Sequence, residues 1–93
     1  MKSDKYYIRK TKFPCKIIED EAVIINIEEN RVLNLKGAGA EIWGCLDTKK
    51  TIDEIVEDIC LKFDVERNKA KKDTVKFLSL LLKEELIEEA DED

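Results

Sequence analysis

Past the first dozen residues, apolar positions recur first with a period of two and then with a helical period. "CKIIE" (15–19) is rich in β-branched residues, and Pro14 ahead of it suits the first position of a strand. "AVIINI" (22–27) sets Val23, Ile25 and Ile27 on one face and Ala22 and Ile24 on the other. "RVLNL" (31–35) sets Leu33 and Leu35 on a common face. "EDE" between the first two runs allows a tight connection. "EEN" before Arg31 ends in Asn30, which tolerates the left-handed backbone of a hairpin turn. The pattern predicts a three-stranded antiparallel meander.

The period then changes. Between Gly37 and Leu46, Ala38, Ile42, Cys45 and Leu46 fall at helical spacing with Trp43 beside them. Thr51 followed by Glu54 three residues on forms a capping box. It opens a second helix with the stripe Ile52, Ile55, Val56, Ile59, Cys60 and Phe63. "FDVERNK" reads as a linker. A third helix is predicted from about Asn68 to Glu85, with Ala70, Thr74, Val75, Phe77, Leu78, Leu81 and Leu82 on one broad arc. Leu80 falls outside that arc, on the side of Lys69, Asp73 and Lys76.

Three strands followed by three helices is an α+β order, and so small a sheet must be covered by the helices. The last two helices, joined by a short connection, form a helix-turn-helix; with the meander the architecture is winged-helix-like. One domain over residues 1–93 is expected, because a chain of this length supports one modest core. Residues 1–12, with Tyr6 and Tyr7 among basic residues and no clean period, read as an arm. Residues 89–93 read as a frayed acidic tail.

Composition narrows the chemistry. There is no histidine, so the commonest general base is missing. Cys15, Cys45 and Cys60 lack metal-binding spacing and read as structural thiols; neither a metal nor another cofactor is expected. Acid pairs such as Asp53/Glu57 and Glu54/Asp58 fall on the polar side of an amphipathic helix. Gly37 and Gly39 sit between a strand and a helix but lack the remaining elements of a phosphate loop. No catalytic site is expected. A net charge of -5 opposes general nucleic-acid affinity, with one local exception in the basic block Arg67–Lys76. No run approaches the ~18 apolar residues of a membrane span. The N-terminus has no secretion signal, so a cytoplasmic protein without membrane attachment is expected.

Binding remains. A meander leaves unpaired backbone at its edges, and an open edge accepts an extended peptide as an extra strand. "RVLNL" ends the meander. If the third helix lies alongside, edge and helix make a trough, the strand supplying main-chain hydrogen bonds and the helix supplying pockets and charges.

The ordered residues along this stretch resemble a known family. They are Leu33-Asn34 in the third strand, Ile42-Trp43 in the first helix, Asp47, and Thr51, Glu54, Ile55 and Val56 at the next helix start. Phe77, Leu78 and Leu81 follow in the last helix, with Leu86-Ile87 closing the set. From about Ile17 to Glu88 the chain is similar to the coenzyme PQQ synthesis protein D family. Its domain is also known as the precursor-peptide recognition element of ribosomal peptide natural-product pathways. Two positions depart from the pattern: Thr48 stands where the family often has Gly after the Asp, and Glu85 where it often has Gly before Leu-Ile.

The resemblance implies a non-catalytic domain that binds a precursor's leader segment beside the third strand, against the third helix. It then presents the peptide to a modifying enzyme, often a radical SAM enzyme. Here the strand contacts would be Arg31, Val32, Leu33, Asn34 and Leu35. The helix contacts would be Lys69, Lys72, Asp73, Lys76 and Leu80, the lysines suiting an acidic leader. Two other readings stay open at this level. One is a DNA-binding winged helix using Arg67 and Asn68, which acidic neighbours oppose. The other is a structural homodimer whose edge pairs with itself across a two-fold axis. The segment bearing Tyr6 and Tyr7 is the internal competitor for the edge.

Overall fold

The computed structural model describes residues 5–91. The described chain runs β1 (Tyr6–Arg9), β2 (Cys15–Ile18), β3 (Glu21–Asn26), β4 (Arg31–Lys36), α1 (Ala38–Cys45), α2 (Ile52–Lys62), α3 (Arg67–Lys83) and β5 (Ile87–Ala90). The expected meander is present as an antiparallel sheet of order β2-β3-β4, followed by the three helices. Asn30 turns the second hairpin with φ 55. Buried Asn26 shapes the same turn, its Oδ1 accepting the Glu29 N–H at 3.1 Å.

Alternation fixes the two faces of the sheet. Ala22 pairs with Leu35 and Ile24 with Leu33, and this face packs on the helices. Ile25 pairs with Val32 on the other face, where both are exposed. The core joins Ile24 to Trp43 and Leu46, to Ile55, Val56 and Ile59 of α2, and to Leu78 and Leu81 of α3.

The arm and the tail are the correction to the sequence reading. They pair with each other as an antiparallel ribbon, Tyr6 opposite Ala90 and Arg9 opposite Ile87. Residues 1–4 of the expected arm and 92–93 of the expected tail lie outside the described residues. The other edge of β1 is held as well: Tyr7 exchanges backbone bonds with Lys50 at 2.8 and 3.0 Å, and the Arg9 N–H donates to Leu46 O at 3.1 Å. The Arg9 guanidinium lies 5.4 Å from the centroid of the fully buried Trp43 ring. Two adjacent glutamates disguised β5 in the sequence, yet Ile87 is buried and Glu88 and Glu89 face solvent.

Helix ends follow local chemistry. The Thr51 hydroxyl accepts the Glu54 N–H at 3.2 Å, and the Glu54 carboxylate accepts the Thr51 N–H at 2.9 Å, as the capping box requires. α3 stops two residues earlier than expected, in a Schellman arrangement. The Leu86 N–H reaches Leu81 O and the Glu85 N–H reaches Leu82 O, both at 3.0 Å. Leu86-Ile87 therefore leaves the helix and leads into β5. Glu85 occupies the left-handed position with φ 62, which accounts for the glycine that the resembling family often carries there. Among the described residues, no helix is long and apolar enough to cross a membrane.

Two stability outcomes follow, both read by urea or thermal unfolding. Thr51→Ala costs about 1 kcal/mol through the lost cap. Glu85→Gly gains about 1 kcal/mol by relieving left-handed strain; a loss of stability in Glu85→Gly would contradict this assignment of the helix end.

Candidate functional site: an open strand edge beside α3

β2 and β4 are the two edge strands of the meander. β1, the expected competitor, is committed to β5, so among the described strands β4 has a partner on one side only. Two backbone bonds set the phase of the ladder. The Gly37 N–H donates to Asp20 O at 2.9 Å, and the Ile25 N–H to Pro14 O at 2.8 Å. Alternation from these points sends the main-chain groups of Arg31, Leu33 and Leu35 toward β3. Those of Val32, Asn34 and Lys36 are left on the open edge.

Two contacts relate β4 and the start of α1 to α3, which runs in the opposite direction. At one end the Arg31 guanidinium meets the Glu84 carboxylate at 3.0 Å and Glu29 at 3.4 Å. Hydrogen bonding and attraction from Glu84, then Glu29, raise the Arg31 pKa further. At the other end the backbone of Gly39 packs on the Phe77 ring, where a Cβ would lie 3.2 Å from a ring carbon. Gly37 turns the strand into the helix with φ 60. The two glycines thus serve the sharp entry into α1 and its close approach to α3.

The predicted site residues divide on this frame. Arg31, Leu33 and Leu35 project to the helix side of β4, Leu33 and Leu35 half-buried. Val32 and Asn34 project to the opposite, exposed face and reach the edge only through their backbone. On α3, Lys69, Asp73, Lys76 and Leu80 recur at three- and four-residue spacing, and Glu84 extends the stripe to Arg31. Lys69 pairs with Asp73 at 3.3 Å. Lys72 sits further round the helix, above a shallow depression shared with Glu66, Asn68 and Lys69.

Sequence reasoning missed Glu84, which falls four residues after Leu80 on the same stripe. It also missed Phe77 as the residue that meets Gly39, because its spacing matched the core arc. A cavity of about 140 Å³ went unseen too. It lies between Ala38 and Ile42 of α1, Ile59 of α2 with Phe63 just past its end, and Asp73 and Thr74 of α3. Its lining comes from three separate helices, which no local pattern reveals.

Two titratable groups of α1 are shifted upward. Burial, with repulsion from Asp58, pushes the Cys45 thiol up to about 11, and its Sγ donates to Ile42 O at 3.3 Å. Hydrogen bonding with Asp58 and partial burial raise the Glu41 carboxyl.

Comparison with known proteins agrees with this fold. A search of curated proteins finds no significant match. The family profile of coenzyme PQQ synthesis protein D (PqqD) matches residues 21–87. One similar solved structure is described as TbiB1 in complex with the TbiA(beta) leader peptide. It is 30% identical, with a TM-score of 0.78, over 87% of this chain and 94% of that one. Another is the solution NMR structure of the PqqD truncation of Methylobacterium extorquens PqqCD. That protein is described as a functional, stand-alone recognition element for ribosomally synthesized and post-translationally modified peptides (RiPPs). It is 15% identical, with a TM-score of 0.71, over 89% of this chain and 88% of that one, and shares the fold. With the profile spanning well over half of its residues, this chain belongs to the PqqD family.

Proposed function

We propose that this chain is a non-catalytic adaptor in the maturation of a ribosomally made peptide. It captures the precursor's leader segment as a fourth strand on β4 and presents the remainder to a modifying enzyme. A radical SAM enzyme and a cytoplasmic setting fit the family resemblance. The observation that carries the reading is the open β4 edge running beside α3. A relative 30% identical to this chain is described in complex with a leader peptide, which supports it.

Each site residue then has a role. Val32, Asn34 and Lys36 offer main-chain bonds. Arg31, Leu33 and Leu35 face the guest strand's inward side chains, and Asp73 and Leu80 line the opposite wall. Lys69, Lys72 and Lys76 form the cationic rim. Such rim charges set association rate and salt dependence more than final affinity. The charge favours an acidic leader.

If a short precursor is encoded beside this gene, its synthetic leader is expected to bind more tightly than ~100 μM, or about 5.5 kcal/mol, by isothermal titration. Asn34→Pro removes an edge N–H that serves no internal bond, and proline is tolerated on such an edge. It is expected to weaken binding at least tenfold with little change in melting temperature. Leu33→Pro, whose N–H faces β3, is expected to lower the melting temperature instead. Equal binding by wild type and Asn34→Pro would overturn the strand-addition reading. Joint Lys72→Glu and Lys76→Glu changes are expected to reduce affinity for an acidic leader and flatten its salt dependence.

A further inference from the structure

The far edge of the meander is open too. The Pro14 carbonyl accepts the Ile25 N–H. Alternation from that bond turns the main-chain groups of Lys16 and Ile18 toward β3 and those of Cys15 and Ile17 outward. Among the described residues, no backbone bond reaches Cys15 or Ile17 from outside the meander. Edge strands are commonly blunted by bulges, prolines or several charges. β2 pairs with β3 without a break from Cys15 to Ile18, Pro14 stands ahead of it, and Lys16 is its one charge. Its isoleucines are exposed on opposite faces, Ile17 at 45% and Ile18 at 54%.

Charge along this segment runs from basic to acidic. Lys16 precedes Glu19 and Asp20 of the turn into β3, and among the described residues none of the three joins an ion pair. An antiparallel copy of the same strand reverses the order. A pairing centred on Ile17 or Ile18 sets each Lys16 toward the turn carboxylates of the other copy. A pairing centred on Lys16 would set ammonium against ammonium, which selects against it. The edge is thus complementary to itself.

We propose that β2 pairs with β2 of a second copy of this chain across a two-fold axis, giving a six-stranded sheet of order β4-β3-β2-β2-β3-β4. The two Ile17 side chains meet on the helix side of that sheet and the two Ile18 side chains come together on its outer face. The sequence reading gave such a homodimer the edge Arg31–Leu35, where it would block a guest strand. Joined at β2, the dimer keeps both β4 edges free at its outer ends, each about 10 Å from its own β2. It carries two peptide sites, one per chain. A joint four residues long buries less than the ~1,200 Å² of a standard stable interface, so the dissociation constant is expected on the order of 100 μM. The proposal stands on the β2 edge alone and does not depend on leader binding.

The test is sedimentation equilibrium of the full chain from ~10 μM to ~1 mM, a range that brackets that constant. The average mass is expected to rise from one chain toward two. Ile18→Lys, at an exposed position, is expected to weaken the dimer at least tenfold with an unchanged melting temperature. Lys16→Glu is expected to weaken it several-fold, and adding Glu19→Lys and Asp20→Lys to Lys16→Glu to restore it. Asn34→Pro is expected to leave it intact. In amide NMR spectra, dilution is expected to shift Cys15 and Ile17 and to leave Val32 and Asn34 in place. A mass that stays at one chain throughout overturns the proposal. So does a dimer that Asn34→Pro abolishes, which would pair through β4, and so does a charge swap that restores nothing in a folded triple variant.

Discussion

The hydrogen-bonding demand of a single strand governs this molecule. β4 satisfies one side of its backbone through β3 and leaves the other side to water. Water meets that demand at no great cost, so the edge is stable when empty. Three outward residues offer a guest strand about six main-chain bonds, each with a net value of only about 1 kcal/mol. Ordering each guest residue costs about 1–2 kcal/mol. Backbone pairing alone therefore leaves little net affinity. Side-chain contacts must supply the remainder, at about 1.5–3 kcal/mol for one fully buried aliphatic or aromatic group.

The rest of the fold keeps that arrangement fixed. Arg31 and Glu84 tie β4 to the end of α3, while Gly39 and Phe77 tie the start of α1 to its middle. Arg9 lies over Trp43 and β1 bonds the α1–α2 connection, so the N-terminal strand steadies the same helix from outside. Pairing with β5 also keeps Tyr6–Arg9 away from β4. A segment that competes for the edge in principle is instead part of what holds the site's frame together.

The sequence made the meander and the helices legible, because alternation in "AVIINI" and the capping box at Thr51 are strong local signals. It placed Lys69, Asp73, Lys76 and Leu80 on a common stripe for the same reason. It did not disclose the β1–β5 ribbon, whose strands are more than seventy residues apart and whose burial rests on few side chains, Tyr7 and Ile87 chief among them. Nor did it separate Val32 and Asn34 from Leu33 and Leu35 in function, since the phase of the ladder depends on the Gly37–Asp20 bond. The departure at Glu85 was visible as a missing glycine. Its meaning required the backbone angle.

Amide hydrogen exchange along β4, measured with and without the leader peptide, tests the central claim most directly. The account predicts new protection at Val32, Asn34 and Lys36 when the leader binds. Leu33 and Leu35, already bonded to β3, are predicted to be slow in both states. Leader binding that leaves the amides of Val32, Asn34 and Lys36 as exchangeable as before would contradict strand addition at this edge.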